Sequence, residues 1–165
     1  MAEKRYILNK ETAARKLQRM AYEIAENNID AGEVVLAGIT ESGSIIARNI
    51  ASYLQTIAAF KISFVTIALD KKHPVHVTVN VPDNFDDKII IVIDDVANSG
   101  KTLLYGLKPF MAFHPKKIQT LVLVERSHKT FPIHPDYVGL SIATTLQEHI
   151  YVETQGDTVN GAWME

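Results

Sequence analysis

A short apolar run followed directly by two acids and a small-residue turn constrains this 165-residue chain more than any other segment. Residues 90–93 read Ile-Ile-Val-Ile, the pattern of a parallel strand that is buried on both faces. Asp94 and Asp95 follow, so they should emerge at the carboxyl end of the strand, where open α/β sheets bind their ligands. The small residues 98–100 then predict a tight turn into a helix that begins near Lys101.

This order of parts suits a phosphorylated sugar. Two adjacent carboxylates can accept hydrogen bonds from ribose hydroxyls, directly or through a magnesium ion that keeps some of its waters. Backbone N–H groups at the start of the following helix would face a bound phosphate. We therefore expect Asp94 and Asp95 to be both the catalytic and the metal-binding residues, and either could act as a general base. The expected phosphate-binding segment consists of Val96, Ala97, Asn98, Ser99, Gly100, Lys101 and Thr102.

Two other interpretations compete with a sugar-phosphate site. Residues 98–102 read NSGKT, which is similar to the end of a nucleoside triphosphate P-loop. That motif needs a glycine where Asp95 stands, and a carboxylate there would repel the phosphates. The simpler alternative is an ordinary strand, turn and helix cap, since aspartate and serine are common in such turns. The combination of an apolar run, two acids and a phosphate-type turn argues against it.

The alternation of helix and strand patterns predicts an α/β fold with a mostly parallel twisted sheet, flanking helices and a small flap or hood, as one domain over residues 1–165. Residues 34–39 and 118–124 are predicted core strands, and residues 11–28 an amphipathic helix. The apolar residues expected to be buried are Ala13, Leu17, Met20, Ala21 and Ile24 in this helix, and Ile46, Ala47, Ile50, Ala51 and Leu54 in the second helix.

Three connecting segments give further expectations. Residues 40–43 should form a turn, with Ser44 as the cap of the second helix. Residues 60–81 contain two alternating stretches that predict a hairpin or flap. Pro109 lacks an N–H group and would clash with the preceding turn, so the third helix should end near Lys108. The residues expected to pack as a separate turn after it are Phe110, Met111 and Phe113.

Composition limits the cellular location and the partners expected for this chain. It has no cysteine and no apolar stretch near the roughly 18 residues of a membrane span, so we expect a cytoplasmic protein without a membrane partner. The net charge of −2 gives no global attraction to nucleic acid. The lysine pairs at 71–72 and 116–117 should lie in solvated loops. The histidines show no metal-ligand spacing, so we expect surface or loop positions, with His128 alone near the site.

The segment around the two acids resembles the phosphoribosyl pyrophosphate signature of the type I phosphoribosyltransferases. The chain is more closely similar to the bifunctional pyrimidine operon attenuator and uracil phosphoribosyltransferase family, over most of its length. Residues 7–28, 34–51 and 121–139 carry this further resemblance. It implies a magnesium-dependent enzyme that transfers the phosphoribosyl group from phosphoribosyl pyrophosphate to a nucleobase, with uracil as the first candidate. It also implies a homo-dimer or a higher homo-oligomer.

The resemblance also assigns site residues. The loop that wraps pyrophosphate would consist of Thr40, Glu41, Ser42 and Gly43, and the base-binding residues would be Arg126, Ile133, Tyr137, Val138 and Gly139. Glu41 departs from the family pattern, because a carboxylate repels pyrophosphate unless magnesium lies between them or the side chain turns outward. The predicted flap is short and lacks the expected arginine-bearing acidic stretch. Both departures favour an alternative from another functional class, a nucleotide-sensing, RNA-binding regulator of pyrimidine genes with weak or no catalysis. The absence of a basic face in the sequence argues against this alternative, because RNA binding depends on contacts between basic side chains and phosphates.

Overall fold

The computed structural model describes residues 3–81 and 83–165. In chain order, the elements of this part are β1 (Arg5–Asn9), α1 (Lys10–Asn27), β2 (Glu33–Ile39), α2 (Thr40–Ile57), β3 (Lys61–Ala68), β4 (Thr78–Val79), β5 (Ile89–Ala97), α3 (Lys101–Tyr105), a 3-10 helix (Lys108–Ala112), β6 (Lys117–Arg126), β7 (Tyr137–Ile142), β8 (Ile150–Gln155) and β9 (Thr158–Met164). Among the described helices, none has the length and apolar character needed to cross a membrane.

The main sheet has the strand order β4-β3-β2-β5-β6-β7. β2 pairs in parallel with β3 and β5, β5 with β6, and β6 with β7, whereas β4 runs antiparallel to β3. Alternate residues of β5 enter two separate apolar clusters, one beneath α1 and α2 and the other beneath α3. The sheet is therefore covered on both faces. The predicted α/β fold with a mostly parallel sheet is confirmed.

A second sheet of three antiparallel strands, in the order β1-β9-β8, forms what we call the hood. β9 is its central strand and pairs with β1 on one side and with β8 on the other. Met164 of β9 lies opposite Arg5 of β1 and opposite Ile150 of β8. The C-terminal residues are thus part of a sheet that stands beside the carboxyl end of β5.

The first two helices bury the residues that the sequence predicted. Asn9 caps α1, because its side-chain oxygen accepts a hydrogen bond from the backbone N–H of Thr12 at 2.8 Å. All ten apolar residues predicted for the buried faces of α1 and α2 lie in the core beneath these helices. Their helical spacing alone was sufficient to identify those faces.

The predicted turn at residues 40–43 is wrong, because these residues form the first turn of α2. Thr40 adopts a positive φ of 54°, which takes the chain from strand to helix in a single step. Ser44 is therefore inside the helix, where its hydroxyl donates to the carbonyl of Thr40 at 2.7 Å instead of capping the end.

The third helix stops earlier than predicted, at Tyr105, and Pro109 lies in the 3-10 helix that follows Leu107. Phe110 is buried there and meets the ring of Phe85 edge-on, with 4.9 Å between the ring centroids. Phe113 contacts the same ring at 5.3 Å. The expectation for Met111 is wrong, because its side chain is 72% exposed.

The predicted flap is wrong for its first stretch, because residues 61–68 form β3, a parallel strand of the main sheet. The segment that remains, residues 69–81, is mostly loop, and we call it the flap. β4 pairs with β3 only through Val79 with Ile67 and Thr78 with Ala68. The other residues of the second alternating stretch, 75–77, 80 and 81, form no strand. Pro74 is buried at the base of the loop, and the backbone carbonyl of Val75 accepts a hydrogen bond from the Lys108 ammonium at 2.6 Å.

Candidate active site

A cavity of about 350 Å³ opens at the carboxyl end of β5, between the turn that follows this strand and β8 of the hood. It is lined by Lys71 from the flap, by Asp94, Asp95, Val96, Ala97, Asn98, Ser99, Gly100, Thr102 and Leu103, and by His149, Ile150, Tyr151 and Val152 from the hood. The sequence predicted the middle group as a site except for Leu103, and Lys101, which was predicted with this group, is not among the lining residues. The sequence did not predict the walls that the flap and the hood provide.

The two acids lie near the carboxyl end of β5, where this strand still pairs with β6. Both are buried, with exposures of 1% for Asp94 and 7% for Asp95. Each carboxylate is oriented by the next backbone N–H group. Asp94 Oδ1 accepts from Asp95 N and Asp95 Oδ1 accepts from Val96 N, both at 2.9 Å. Burial and then the neighbouring Asp95 charge raise the pKa of Asp94 well above its ordinary value.

Lys71 reaches these acids from the flap. Its ammonium lies 3.2 Å from Asp94 Oδ1 and 3.6 Å from Asp95 Oδ1. Burial lowers the pKa of Lys71, but the charges of the two carboxylates outweigh that effect and raise it overall, so the side chain stays cationic. Lys71 is an exposed loop residue, as expected, but the sequence did not indicate that its ammonium contacts the two acids.

The turn after β5 is held from below by the segment that follows β6. The carbonyl of Ser99 accepts hydrogen bonds from the backbone N–H groups of Thr130 and Phe131 at 3.1 and 3.0 Å. Gly100 has a φ of 84°, and a Cβ there would lie 2.8 Å from Ile133 Cγ2. Ile133 thus packs against the turn itself. The turn is a fixed shape with its small residues exposed to the cavity.

Beneath the same turn lies an ion pair that the sequence did not indicate. The Lys129 ammonium, 3% exposed, lies 2.6 Å from a carboxylate oxygen of Glu125 at the end of β6. Lys129 Cδ would be 3.2 Å from a Cβ on Gly100, so the pair supports the floor of the turn. A buried pair of this kind fixes geometry more reliably than it adds stability.

Asn98 joins the turn to the hood. Its side-chain amide donates to the carbonyl of Ile150 at 3.2 Å, and its side-chain oxygen accepts from the Ile150 N–H at 3.1 Å. The side chain therefore pairs with one residue of β8 in the way that a neighbouring strand would. This engages the polar atoms of Asn98 and leaves the phosphate-binding role predicted for it to its backbone.

His149 and Tyr151 form the opposite wall of the cavity. Tyr151 stacks on Trp163 with 4.4 Å between ring centroids, and the Lys4 ammonium lies 4.4 Å from the Trp163 ring on β9. His149 is exposed and precedes β8, as expected of a surface or loop residue, but the expectation that His128 alone lies near the site is wrong, because His149 lines the cavity and His128 does not. The available signal was the two-residue spacing of His149 and Tyr151, which puts both side chains on one face of a strand.

The first turn of α2 abuts the acids but does not line the cavity. A Cβ at Gly43 would lie 2.4 Å from the carbonyl oxygen of Ile93 and 3.4 Å from Asp94 Cα, so only glycine allows this approach. Glu41 turns outward, with its carboxylate 3.3 Å from the Arg48 guanidinium. Thr40 and Ser42 hydroxyls lie 3.4 Å apart. Glu41 thus takes the outward orientation that removes its repulsion of a bound anion.

None of the predicted base-binding residues is among the residues that line the cavity. Arg126 donates to the carbonyl of Glu148, which orients the segment leading into β8. The Tyr137 hydroxyl donates to Gln119 at 2.7 Å, pointing away from the site, and the carbonyls of Val138 and Gly139 accept from Arg19 at 2.9 and 3.0 Å. Base binding by these residues stays a prediction.

The acids suit a magnesium ion. They provide two hard oxygen donors, and no cluster of three or more metal-ligating side chains occurs in residues 3–81 and 83–165. Mg²⁺ commonly binds through one or two carboxylates and completes its coordination with water and substrate phosphates. The residues present therefore fit a metal that is shared between the protein and a phosphorylated ligand.

Comparisons with known proteins identify the family of the chain. The model of the phosphoribosyl transferase domain matches residues 5–155. The chain is 34% identical over 163 residues to Bifunctional protein PyrR of Pelotomaculum thermopropionicum, covering 93% of this chain and 90% of that protein. It is 33% identical over 168 residues to Bifunctional protein PyrR of Clostridium acetobutylicum, covering 93% and 94%.

The fold is also that of solved phosphoribosyltransferases. A hypoxanthine-guanine phosphoribosyltransferase from Bacillus anthracis superposes with a TM-score of 0.75 at 16% identity, covering 95% of each chain. The family model and the relatives together confirm the resemblance that the sequence motifs indicated. The chain belongs to the phosphoribosyl transferase domain family.

Proposed function

We propose that this protein transfers the phosphoribosyl group of phosphoribosyl pyrophosphate to a nucleobase, with uracil as the first candidate, and releases pyrophosphate. The observation that carries the proposal is that two buried carboxylates and a rigid small-residue turn line the same cavity at the carboxyl end of β5. Membership of the phosphoribosyl transferase domain family supports the class of reaction. The choice of uracil comes from the resemblance of the sequence to the bifunctional pyrimidine operon attenuator and uracil phosphoribosyltransferase family.

In this proposal Asp94 and Asp95 accept hydrogen bonds from the ribose hydroxyls, and the turn at 96–102 holds the 5′-phosphate through backbone N–H and hydroxyl donors. The bond from the sugar carbon to pyrophosphate breaks with its electron pair leaving on pyrophosphate. The carbon gains cationic character, a nitrogen of the base attacks from the opposite face, and that nitrogen loses its proton. Asp95 is one candidate acceptor of this proton, and Asp94 is the other.

Magnesium held by Asp94 and Asp95 would supply positive charge that stabilises the departing pyrophosphate. The first turn of α2, residues 40–43, lies against Asp94 and would add backbone N–H groups, since it contains no basic side chain. The base would lie toward the hood. There His149 and Tyr151 provide aromatic surfaces, and Arg126 holds the segment that leads to them.

A base-panel assay tests the reaction. The protein is incubated with phosphoribosyl pyrophosphate, Mg²⁺ and each of uracil, hypoxanthine, guanine and adenine, and pyrophosphate release is measured. Release with uracil above the other bases supports the proposal. Release with a purine alone would correct the substrate, and the absence of release with any base would contradict the transferase activity.

A matched pair of double variants tests the site. Asp94→Asn with Asp95→Asn should abolish binding of phosphoribosyl pyrophosphate in calorimetry, because the amides cannot replace two anionic acceptors. Asp86→Asn with Asp87→Asn is the control, since it changes another adjacent aspartate pair just before the opposite end of β5. The control should bind like the wild type. Equal affinity of the first variant would refute the role assigned to Asp94 and Asp95.

A second candidate function is ligand sensing with RNA binding and little turnover. The observation that favours it is that residues 40–43 contain no basic side chain and that Lys71 already neutralises part of the acidic pair. Binding of phosphoribosyl pyrophosphate without pyrophosphate release, together with salt-dependent affinity for RNA, would establish this alternative. Sedimentation velocity on the same sample tests the proposed homo-oligomer.

A further inference from the structure

Lys71 occupies an unusual place for a loop lysine. It belongs to the flap, yet its ammonium lies within 3.6 Å of both acids in the cavity, and its side chain remains 41% exposed. The adjacent Lys72 behaves differently: it is exposed, and its backbone N–H donates to Asp70 Oδ1 at 2.9 Å in a local turn. The chain therefore directs one of two neighbouring lysines into the site.

The flap is anchored at points other than the acids, so the position of the Lys71 ammonium does not depend on its contact with them alone. Pro74 is buried, the Val75 carbonyl accepts from Lys108, and β4 pairs with the end of β3 on the far side of the loop. The backbone around Lys71 thus has anchors besides the acids. Release of the ammonium would require movement of a short segment and not unfolding of the flap.

The ammonium contacts the carboxylate oxygens that a ligand would need. Asp94 Oδ1 and Asp95 Oδ1 each already accept one backbone N–H group, and Lys71 approaches these same two atoms. Among the described residues that line the cavity, Lys71 is the one lysine or arginine. A divalent cation or a pair of sugar hydroxyls approaching both oxygens would meet the ammonium in the position that it must occupy.

We propose that Lys71 is a tethered cation that contacts the acidic pair when no ligand is bound and competes with a divalent metal ion and with the ribose hydroxyls, so that ligand entry releases the flap. For the sugar this inference rests on the proposed function. For the metal ion it rests on the geometry of Lys71, Asp94 and Asp95 alone. Removing the ammonium should therefore strengthen metal binding in the absence of any substrate.

The test uses Mn²⁺ as the probe, measured by electron paramagnetic resonance and calorimetry on the full chain without substrate. Lys71→Met should bind Mn²⁺ about three- to tenfold more tightly than the wild type, because no internal cation has to be displaced. Lys71→Arg keeps the charge and should bind like the wild type. Lys72→Met, the matched control, should stay within about twofold. Unchanged or weaker binding by Lys71→Met would overturn the proposal.

A second readout separates displacement from a simple change in local charge. Hydrogen exchange of residues 69–77 should become faster when Mn²⁺ binds the wild type, whereas Lys71→Met should show fast exchange with or without the metal. Exchange that does not respond to Mn²⁺ in the wild type would overturn the proposal even if the affinities differ. Adding Asp94→Asn and Asp95→Asn to Lys71→Met should remove the tighter Mn²⁺ binding. This result would show that Mn²⁺ binds at the acidic pair.

These measurements can fail independently of the proposed function. If Lys71 competes with Mn²⁺ and the flap is released, but no base gives pyrophosphate release from phosphoribosyl pyrophosphate, the transferase activity is refuted and the role of Lys71 stands. Pyrophosphate release with metal affinity that is insensitive to Lys71→Met would refute the role of Lys71 and leave the transferase intact.

Discussion

Replacing Asn98 should separate the hood from the turn that follows β5. His149 and Glu165 exchange both of their backbone hydrogen bonds, at 2.8 and 3.2 Å. In an antiparallel ladder the next pair, Ile150 with Met164, is then not hydrogen-bonded, so the polar groups of Ile150 point away from β9. The Asn98 side chain satisfies both of them. Ile150 itself is buried, so these groups have limited access to water.

The magnitude follows from the two bonds. Asn98→Ala removes both, at about 0.5–1.5 kcal/mol each, so the free energy of unfolding should fall by about 1–3 kcal/mol. For a chain of this size 1 kcal/mol corresponds to about 2–4 °C in Tm, which gives a decrease of about 2–12 °C. Asn98→Asp keeps the acceptor but turns an oxygen toward the Ile150 carbonyl, so it should lose at least as much stability.

Circular dichroism melts and urea titrations of the wild type, Asn98→Ala, Asn98→Asp and the exposed control Gln147→Ala measure this effect. The control removes a nearby amide side chain and should melt with the wild type. Phosphoribosyl pyrophosphate affinity is measured on the same samples. A wild-type Tm for Asn98→Ala combined with lost ligand affinity would refute the structural role and indicate direct contact between this amide and the phosphate.

Two further perturbations test the packing and the charge of the site. Gly43→Ala should lower the free energy of unfolding in urea titrations by about 1–3 kcal/mol and weaken ligand binding, because its Cβ would lie 2.4 Å from the Ile93 carbonyl oxygen. The control Gly32→Ala meets nothing within 4 Å and should be neutral. Equal stability of the two variants would refute the close approach of α2. Burial raises the pKa of Asp94 in the folded chain, so the folded state binds this proton more tightly than the unfolded state and stability is lost as pH rises from about 4 through the raised pKa. The advantage of Asp94→Asn over the wild type in unfolding free energy should therefore grow across that pH window, and parallel pH profiles would contradict the shift.

The parts of the structure that the sequence predicted are those with a short-range signal. The buried strand before Asp94 and the buried face of α1 follow from apolar spacing within one element, and the break at Pro109 is a local effect of a single residue. A parallel strand surrounded by other strands must also be apolar on both faces. These features need no knowledge of which elements meet in the folded chain.

The parts that the sequence missed depend on contacts between distant segments. The helical start of α2 at Thr40 is possible because Gly43 lies against the carbonyl of Ile93, a contact between two elements that are far apart in the chain. The hood wall carrying His149 and Tyr151 exists because β9 pairs with both β8 and β1. The sequence of β8, IYVETQ, gave a weak strand signal, since neither face of the strand is fully apolar.

The charges in the cavity decide how a ligand of the proposed kind can enter. The lining side chains include two buried carboxylates and the Lys71 ammonium, so the acidic pair is only partly neutralised before any ligand arrives. A ribose carrying phosphate and pyrophosphate groups adds several negative charges, and burial in a region of low effective dielectric strengthens their repulsion by the carboxylates. Phosphoribosyl pyrophosphate must therefore bring a cation with it or use the one that the flap supplies. If a metal ion binds the two carboxylate oxygens that Lys71 approaches, the protein cannot hold both cations there at once, and the binding of the metal ion and the sugar is then coupled to the position of the flap.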